Sequence, residues 1–367
     1  MLNFNKVEHS TIEPDLFQLM SATLQSQREH APGKGSPLLL TSAPGLGKTA
    51  MYRALAKEYN LEFRAIILSR IPSADISGFF IPDLATGVVV HLTTKDIIDP
   101  EYDKEKFDGI LILFDEIGNA DVGQQTSIQS FVEDWKMGGV PVAENVFFAF
   151  ASNRKKDSCG SNDLVKSLVD RLFVKDIEEP DVDNWIRWAM KNGVHPNIIG
   201  YIQWKKEALF EFDPKAPQGG QPSPRAWEKA SHLIDSLPIE TNYMISTVVS
   251  GKVGEVRGIE FSAYIRMLDE LCSYEDVMRD PEDAPIPHHN TSACYAMCTN
   301  IAYEFAQKDK AGEDLTKEEV DAAITYIRRM DDAMAVFGFR MMDEATTLFS
   351  KRSDEFTKFK KDYKELG

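Results

Sequence analysis

Residues 38–55, with the sequence LLLTSAPGLGKTAMYRAL, restrict the fold of this chain more than any other stretch. A short apolar strand is predicted to lead into a loop that contains Gly45 and Gly47, and a helix is predicted to follow Lys48 and Thr49. Loops of this kind bind phosphate, because their backbone N–H groups and the N-terminus of the next helix face the anion. A turn that has these residues by chance is the alternative.

One position departs from the usual pattern G-x-x-x-x-G-K-[ST], which has glycine where this chain has Ser42. Ser42 lies where the predicted strand becomes the loop, away from the two glycines that approach the phosphates. We therefore expect a small residue to be sufficient at position 42, and the loop to bind a nucleotide.

The loop offers three kinds of group to a nucleoside triphosphate. Its glycines bring backbone N–H groups close to phosphate oxygens, Lys48 places a positive charge at the outer phosphates, and Thr49 offers a hydroxyl group to Mg²⁺. ATP and Mg²⁺ are thus the predicted cofactors. The residues predicted to contact the nucleotide are Pro44, Gly45, Leu46, Gly47, Lys48, Thr49 and Ala50.

Further apolar runs predict the rest of a sheet. They lie at 61–69, 109–114 and 146–152, with a fifth candidate strand at 171–177 and helical segments between them. Continuous apolar runs are typical of parallel strands that are buried on both faces. Strands that alternate with helices predict an α/β fold with ligands at the carboxyl ends of the strands.

The pattern becomes helical after about position 180. We predict four parts: an N-terminal helix and linker at 1–30, a nucleotide-binding α/β core at 31–180, and helical regions at 181–270 and 271–367.

Two adjacent carboxylates end the apolar run 109–114. Ionised side chains are costly beside a buried strand, so Asp115 and Glu116 are predicted to have a function there. Asp115 can hold Mg²⁺, and Glu116 can orient and deprotonate the water that attacks a phosphate. The pair indicates hydrolysis, and an acidic cap of the strand is the alternative.

Three more polar residues are candidates for the same site. Asn153 follows the strand 146–152 and either positions the attacking water or simply opens a loop. Arg171 can reach the site of a neighbouring subunit as an arginine finger, or it forms a surface salt bridge. Arg225 lies in the first turn of a predicted helix, where a cation opposes the helix dipole. That position favours an anionic partner such as the γ-phosphate of ATP over a structural salt bridge.

The composition restricts the partners and the location. The 367 residues include 58 acidic and 41 basic ones, which gives a net charge of −17. Nucleic acid is therefore not expected as a partner, because phosphate-binding surfaces need positive charge. The N-terminus lacks the apolar segment of a signal peptide, no run approaches a membrane span, and the four cysteines have no regular framework. These features predict a cytoplasmic protein.

Taken in order, the motifs resemble those of AAA+ ATPases, and more narrowly those of the MoxR family. Three stretches carry the narrower resemblance: IPSADISGFFIPD at 71–83, LILFDEIGNADVGQQTSIQSFVED at 111–134 and PSPRA at 222–226. The stretch KVGEVRGIEFSAYIRMLDEL, at 252–271, is similar to a tail of some MoxR-like proteins. The resemblance covers about residues 10–270.

The resemblance implies a five-stranded sheet of order 5-1-4-3-2 with an all-α lid, and ATP between the subunits of a ring, commonly a hexamer. The site residues that it implies are Lys48 and Thr49 for phosphate and magnesium, Asp115 and Glu116 as Walker B acid and base, Asn153 as first sensor, Arg171 as the finger in trans and Arg225 as second sensor. Ser42 departs from the family pattern, and so does Gly118, which changes the start of the helix after the acid pair.

The resemblance also implies the partner. Proteins of this family remodel or activate another protein, often one with a von Willebrand A-type domain, and the predicted function is ATP hydrolysis for that purpose. A motor on nucleic acid is the alternative, because helicases share the same core, but the net charge opposes it. The intact Asp115–Glu116 pair disfavours a scaffold that binds ATP without hydrolysis.

Two hairpins implied by the resemblance would face a pore. The first, at 78–90, contains Phe79 and Phe80, which either grip a peptide or pack into the core, and core packing is favoured. The second lies at 136–140.

Two other groups of residues could bind a ligand, but for both we favour a structural role. His288, His289, Cys294 and Cys298 have the residue types of a zinc site, but paired CxxC motifs are missing, so buried structural thiols are favoured. The basic run 350–366 has aromatic residues at helical spacing, which favours packing on the body or on a partner over nucleic-acid binding.

Overall fold

The computed structural model describes residues 12–28, 34–72, 76, 79–83, 85–92, 95–137, 140–157, 163–216, 219–237, 241–268, 271–287, 290–346, 349, 358–359 and 361. These residues form two compact units. The first contains those up to Glu179 together with Asp213–Lys215, and the second contains the others from Pro180 onward.

The first unit is built on a parallel sheet of five strands. The described strands of this unit are, in chain order, β1 Leu38–Ser42, β2 Leu61–Ile67, β3 Phe79–Asp83, β4 Val88–Leu92, β5 Gly109–Asp115, β6 Lys136–Met137, β7 Val140–Pro141, β8 Val146–Asn153 and β9 Phe173–Ile177. The sheet has the order β2-β5-β8-β1-β9, and two antiparallel hairpins, β3–β4 and β6–β7, lie outside it. Counted among themselves, the sheet strands have the order 5-1-4-3-2, so the predicted fold class and strand order are confirmed.

The longest apolar runs form the interior of this sheet. All side chains from Ile110 to Phe114 on β5 are fully buried, and so are most of those on β8. The ring of Phe114 stacks on those of Phe148 and Phe150, with centroids 5.8 and 5.3 Å apart. β9 is an edge strand, which explains why Phe173 and Val174 remain exposed. The strands that are buried on both faces, β5 and β8, are therefore the ones that end at the predicted site residues Asp115 and Asn153.

Helices and short turns cover the strands. The described helices of the first unit are α1 Pro14–Gln27, α2 Lys48–Glu58, α3 Lys95–Ile98, α4 Val122–Asp134 and α5 Lys166–Val169. α4 begins at a capping box, because Asp121 accepts from the N–H of Gln124 while the Gln124 side chain accepts from the N–H of Asp121. Two 3₁₀ turns, Leu68–Arg70 and Ile117–Asn119, follow β2 and β5.

The end of α1 is attached to the middle of the sheet. β1 pairs with β8 only from Leu39, opposite Phe150, onward. The fully buried side chain of Gln27 bonds both backbone groups of Phe148, with Nε2 2.9 Å from its carbonyl oxygen and Oε1 2.8 Å from its nitrogen. A single amide thus occupies the place of a neighbouring strand.

In the second unit, every described element is a helix. These helices are α6 Val182–Lys191, α7 Pro196–Trp204, α8 Pro224–Asp235, α9 Asn242–Val253, α10 Glu255–Leu268, α11 Tyr274–Arg279, α12 Thr291–Ala311, α13 Lys317–Arg328 and α14 Asp332–Ala345, with one 3₁₀ turn at Lys206–Ala208. They share one apolar core, whose buried members extend along the chain from Trp185 to Phe359. The predicted division of this region at position 270 stays a prediction.

Close backbone contacts hold α9 and α10 together. A Cβ at Gly258 would lie 2.6 Å from the Cα of Ser250, so only glycine permits this crossing.

Among the described helices, none combines the length and the apolar character that crossing a membrane requires.

Candidate nucleotide-binding site

Three polar residues lie together at the carboxyl ends of neighbouring strands of the sheet. Ser42, Asp115 and Asn153 are the last residues of β1, β5 and β8, which are neighbours in the order β5-β8-β1. Ser42 and Asn153 are register partners across the β1–β8 pair. Because the strands are parallel, their carboxyl ends lie side by side.

The loop after β1 has the backbone shape that phosphate binding requires. Gly45 and Gly47 both have a φ of +86°, a region that strains any other residue. A Cβ at Gly47 would meet no atom within 4 Å, so the backbone conformation and not crowding is what calls for glycine here. Ala43 and Leu46, on either side of Gly45, are buried. Gly47 also precedes the first residue of α2, where unpaired N–H groups attract anions.

Lys48 is held inside the loop by oxygen atoms. Its Nζ donates to Ser42 Oγ at 2.8 Å and to Asn153 Oδ1 at 3.0 Å. The carbonyl oxygens of Ser42 and Ala43 lie farther away, at 3.4 and 3.5 Å. Lys48 is 8% exposed. The ammonium group therefore lies at the base of the loop, between the ends of β1 and β8.

Thr49 and Asp115 form a set of oxygen atoms that fits Mg²⁺. Thr49 Oγ1 donates to Asp115 Oδ2 at 2.7 Å, so a hydroxyl and a carboxylate already lie together. Magnesium prefers such hard oxygen ligands and is usually held by one or two carboxylates besides phosphate and water. These two side chains are therefore the residues that would hold it.

Glu116 is fixed at both its backbone and its side chain. Its φ of 59° and ψ of 37° place it in the left-handed region, which is uncommon for a residue other than glycine. The N–H of Glu116 donates to Asp115 Oδ1 at 2.9 Å, and its Oε2 accepts from Ser69 Oγ at 2.7 Å. Sequence reasoning missed Ser69, although it follows β2 as Asn153 ends β8.

Gln124 positions the turn that carries Ser69. Its Nε2 donates to the carbonyl oxygens of Leu68 at 3.0 Å and of Ile71 at 2.6 Å, on either side of Ser69. A second contact fixes the turn after β5, because the N–H of Gly118 donates to Ser152 Oγ at 3.2 Å. Two residues of the stretch 111–134, Gln124 and Gly118, thus fix the turns that lie next to Asp115 and Glu116. This stretch carries part of the family resemblance.

Within one chain, Arg171 pairs with an acid on α4. Its Nη2 lies 2.7 Å from Glu133 Oε2, and its Nη1 donates to the carbonyl oxygen of Ser167. The hydrogen bond with Glu133 raises the pKa of Arg171, and the same bond lowers the pKa of Glu133. Its predicted action on a neighbouring subunit stays a prediction.

Arg225 lies in the first turn of α8, in the second unit. Ser223 caps this helix by accepting from the N–H of Ala226 at 3.2 Å. The Arg225 side chain is exposed and makes no hydrogen bond or ion pair with the residues that the structure describes. Its predicted contact with ATP also stays a prediction.

The hairpins and clusters weighed from the sequence are partly visible. The backbones of Phe79 and Phe80 belong to β3, but their side chains and Gly78 lie outside the described residues. In the second hairpin, Lys136 and Val140 are exposed, and positions 138 and 139 are not described.

The two thiols that were weighed as zinc ligands and favoured as structural are buried. Cys294 is 5% and Cys298 0% exposed, and burial raises the pKa of both thiols. His288 and His289 lie outside the described residues, among which no group of three or more His, Cys, Asp or Glu side chains is arranged to hold a metal ion.

Most of the basic C-terminal run also lies outside the described residues. Phe359 is described and buried, and its ring stacks on that of Phe339 with centroids 3.5 Å apart. At this residue the run packs on the helices of the second unit.

Comparison with known proteins gives little beyond this geometry. No protein-family model matches the sequence. An uncharacterized protein from Bacillus subtilis strain 168, YeaC, is 26% identical over 141 residues, which are 38% of this chain and 41% of YeaC. The match therefore spans less than half of that relative.

Solved structures of RuvB from Thermotoga maritima are similar in part. One is described as a Holliday junction branch migration motor and is 13% identical, with a TM-score of 0.34 over 74% of this chain and 76% of RuvB. A variant of the same protein reaches a TM-score of 0.38 over 77% and 79% of the two chains, also at 13% identity. Likeness at this level carries no argument about what this chain binds.

Proposed function

We propose that this chain is an AAA+ ATPase of the MoxR type, which hydrolyses ATP to remodel, activate or help assemble a protein partner. The observation that supports it most is the convergence of Lys48, the Thr49–Asp115 pair, Glu116 and Asn153 at one edge of a 5-1-4-3-2 sheet. A phosphate loop alone would fit many ATP-binding proteins. A carboxylate beside the magnesium ligand fits hydrolysis.

The residues divide the reaction between them. Lys48 and the N–H groups at the start of α2 bind the outer phosphates, while Gly45 and Gly47 allow the backbone to approach them. Thr49 and Asp115 hold Mg²⁺, which when bound neutralises charge on the phosphates. Glu116 takes a proton from water, and the amide of Asn153 orients that water.

The remaining predicted residues act between subunits or on closure. Arg171 completes the site of a neighbour in a ring, commonly a hexamer, and must first leave Glu133. Arg225 contacts the γ-phosphate as second sensor. The partner is a protein, by resemblance one with a von Willebrand A-type domain, and the compartment is the cytoplasm. The net charge of −17 supports a protein partner over nucleic acid.

The Glu116→Gln variant tests hydrolysis directly. It keeps the shape of the side chain but cannot accept a proton, so we expect Mg-ATP binding to persist while turnover falls by about 10²- to 10⁴-fold, the usual contribution of a general base. Calorimetry measures binding and phosphate release measures turnover.

The matched control is Glu144→Gln, at an exposed glutamate in the loop before β8. It should turn over ATP like the unmodified chain. Full activity of Glu116→Gln would contradict the role of Glu116, and strong stimulation by single-stranded DNA at physiological salt would favour a nucleic-acid motor instead.

A further inference from the structure

Ser42 contacts Lys48 through an atom that glycine does not have. Its Oγ accepts from Lys48 Nζ at 2.8 Å and donates to the carbonyl oxygen of Ala43 at 2.7 Å. A hydroxyl has one proton and two lone pairs, so the bond to Ala43 directs a lone pair at the lysine. Ser42 is 0% exposed, which keeps this arrangement free of competing water. The usual glycine at position 42 would leave Lys48 without this partner.

Asn153 is a second side-chain partner of Lys48, but it is less buried than Ser42. It lies at the very end of β8 and is only half-buried. Its Oδ1 is 3.0 Å from Nζ, and the two carbonyl oxygens near Nζ are at the limit of hydrogen bonding. Of these two side chains, Ser42 is the closer to Lys48 Nζ and the more deeply buried.

We propose that Ser42 is a positioning residue, which holds the ammonium group of Lys48 in the empty loop and stays bonded to it when phosphate enters. Asn153 is the partner that exchanges, which frees its amide for water. An ammonium has three protons, so one bond to Ser42 leaves the others for phosphate oxygens. This inference rests on the proposed function, since Lys48 matters only if the loop binds a nucleotide.

The consequence is a loss of affinity that depends on the outer phosphates. Without the hydroxyl, Lys48 is no longer held in place before phosphate arrives. A hydrogen bond to a charged group is typically strong enough for about a tenfold change in affinity. We expect Ser42→Ala to raise the Kd of Mg-ATP by about this factor while the Kd of AMP, which lacks the outer phosphates, stays the same. The rate at saturating ATP should change far less than the Kd.

Ser21→Ala is a matched control in the same unit. Ser21 is also buried, donates to a carbonyl oxygen, that of Phe17, at 2.7 Å, and accepts from the hydroxyl of Tyr59 at 2.7 Å. Its hydroxyl makes two hydrogen bonds, as that of Ser42 does, but accepts from a neutral donor. Unfolding of both variants shows whether they are folded alike, and only Ser42→Ala should lose affinity for Mg-ATP.

Two measurements separate positioning from a purely structural role. The first is calorimetric binding of Mg-ATP to the chains with Ser42→Ala, Lys48→Met and both changes, since a residue that acts through Lys48 has no further effect once Lys48 is replaced. The second needs no nucleotide: the rate of reductive methylation of Lys48, read by peptide mass spectrometry, should rise several-fold in Ser42→Ala because the ammonium is released.

The outcomes are distinct. Loss of affinity with Lys48 present, no loss with Lys48→Met, and faster methylation support the proposal. Unchanged Mg-ATP affinity in Ser42→Ala overturns it, and so does an equal loss in the Lys48→Met background. Failure of the unmodified chain to bind Mg-ATP would instead overturn the proposed function, whereas binding by that chain with no effect of Ser42→Ala overturns the role of Ser42 alone.

Discussion

Glu116 has a backbone conformation that its neighbours must maintain. A left-handed residue with a side chain is less stable by roughly 1–2 kcal/mol than one in the usual helical region. Here the carboxylate of Asp115 holds the N–H of Glu116 and the hydroxyl of Ser69 holds its side chain. The Ser69 contact also occupies an oxygen of Glu116 that would receive a proton during hydrolysis.

Replacing Ser69 with alanine should therefore raise the ATPase rate in the absence of a partner. The hydroxyl competes with water for the Glu116 carboxylate, and its removal should increase basal turnover by about two- to fivefold, less than the full strength of a charge-assisted bond because the site is exposed. Steady-state phosphate release at saturating Mg-ATP measures it.

Ser127→Ala serves as the comparison for Ser69→Ala. Ser127 is another hydroxyl-bearing residue of the first unit, and among the described residues its hydroxyl donates to the carbonyl oxygen of Gly123 within α4 and contacts no residue of the site. It should leave the rate unchanged. A fall in turnover for Ser69→Ala would mean that the hydroxyl orients Glu116 for the reaction rather than restraining it.

Some site contacts follow from the sequence and others do not. Asp115 and Asn153 could be predicted to lie close together because each ends a continuous apolar run, and such runs form adjacent parallel strands. The hydrogen bond between Ser42 and Lys48 could not be predicted, since it depends on the path of the loop that joins them. Ser69 was within reach of the same strand-end argument, but β2 was predicted to extend to 69 and is observed to end at Ile67.

At the level of elements, α1 closes a gap in the sheet. Phe148 lies beyond the start of the β1–β8 pairing, so its backbone groups would face no strand on that side. Gln27 satisfies both of them with one side chain. A buried amide in this position substitutes for two ladder hydrogen bonds.

The Gln27→Leu variant should be markedly less stable. It leaves a buried N–H and a buried carbonyl of β8 without partners, and each unsatisfied group costs about 1–3 kcal/mol, so we expect a loss of about 2–4 kcal/mol in the free energy of unfolding. Urea denaturation followed by circular dichroism measures it.

Gln25→Leu, at an exposed position of the same helix, is the control and should change stability little. If the two variants unfold at the same urea concentration, the contact between Gln27 and Phe148 is not a significant source of stability.

The interior strands β5 and β8 were predictable to within about two residues because their apolar runs are continuous and end at polar residues. The contact that attaches α1 to the sheet could not be predicted, since a single glutamine in a helix gives no pattern that indicates its hydrogen-bond partner. The strand order follows from the family resemblance rather than from any single segment. Hydrophobic periodicity predicts whether a segment is a helix or a strand, whereas the elements that pack beside it depend on the whole chain.

At the scale of the whole molecule, the pairing of Arg171 with Glu133 describes an isolated chain. In the proposed ring this arginine would contact the site of the next subunit, and the exposed carboxylate of Glu133 would lose its partner. Head-to-tail contacts of this kind close into a ring when the rotation from one subunit to the next adds up to a full turn, as the proposed ring requires.

Mixing two inactive variants tests that geometry. Arg171→Ala chains have an intact site without a finger to offer, and Lys48→Ala chains offer a finger but cannot bind phosphate well. In random rings from an equal mixture, about a quarter of the interfaces combine an intact site with an intact finger, so up to about that share of activity should return.

A mixture of Lys48→Ala with Glu116→Gln chains is the control, because both defects lie in the same site and no interface can be whole. Rescue by the first mixture alone supports action across subunits. If no ratio of Arg171→Ala to Lys48→Ala restores turnover, Arg171 does not act in trans.

The single core of the second unit has a practical consequence for anyone who shortens this chain. Side chains on both sides of position 270, such as Phe261 on α10 and Phe305 on α12, are buried in that one core. A chain truncated at position 270 would expose apolar side chains of this core to water, and we expect it to aggregate during expression. The described residues after position 270 therefore supply part of the core on which the helices before that position pack.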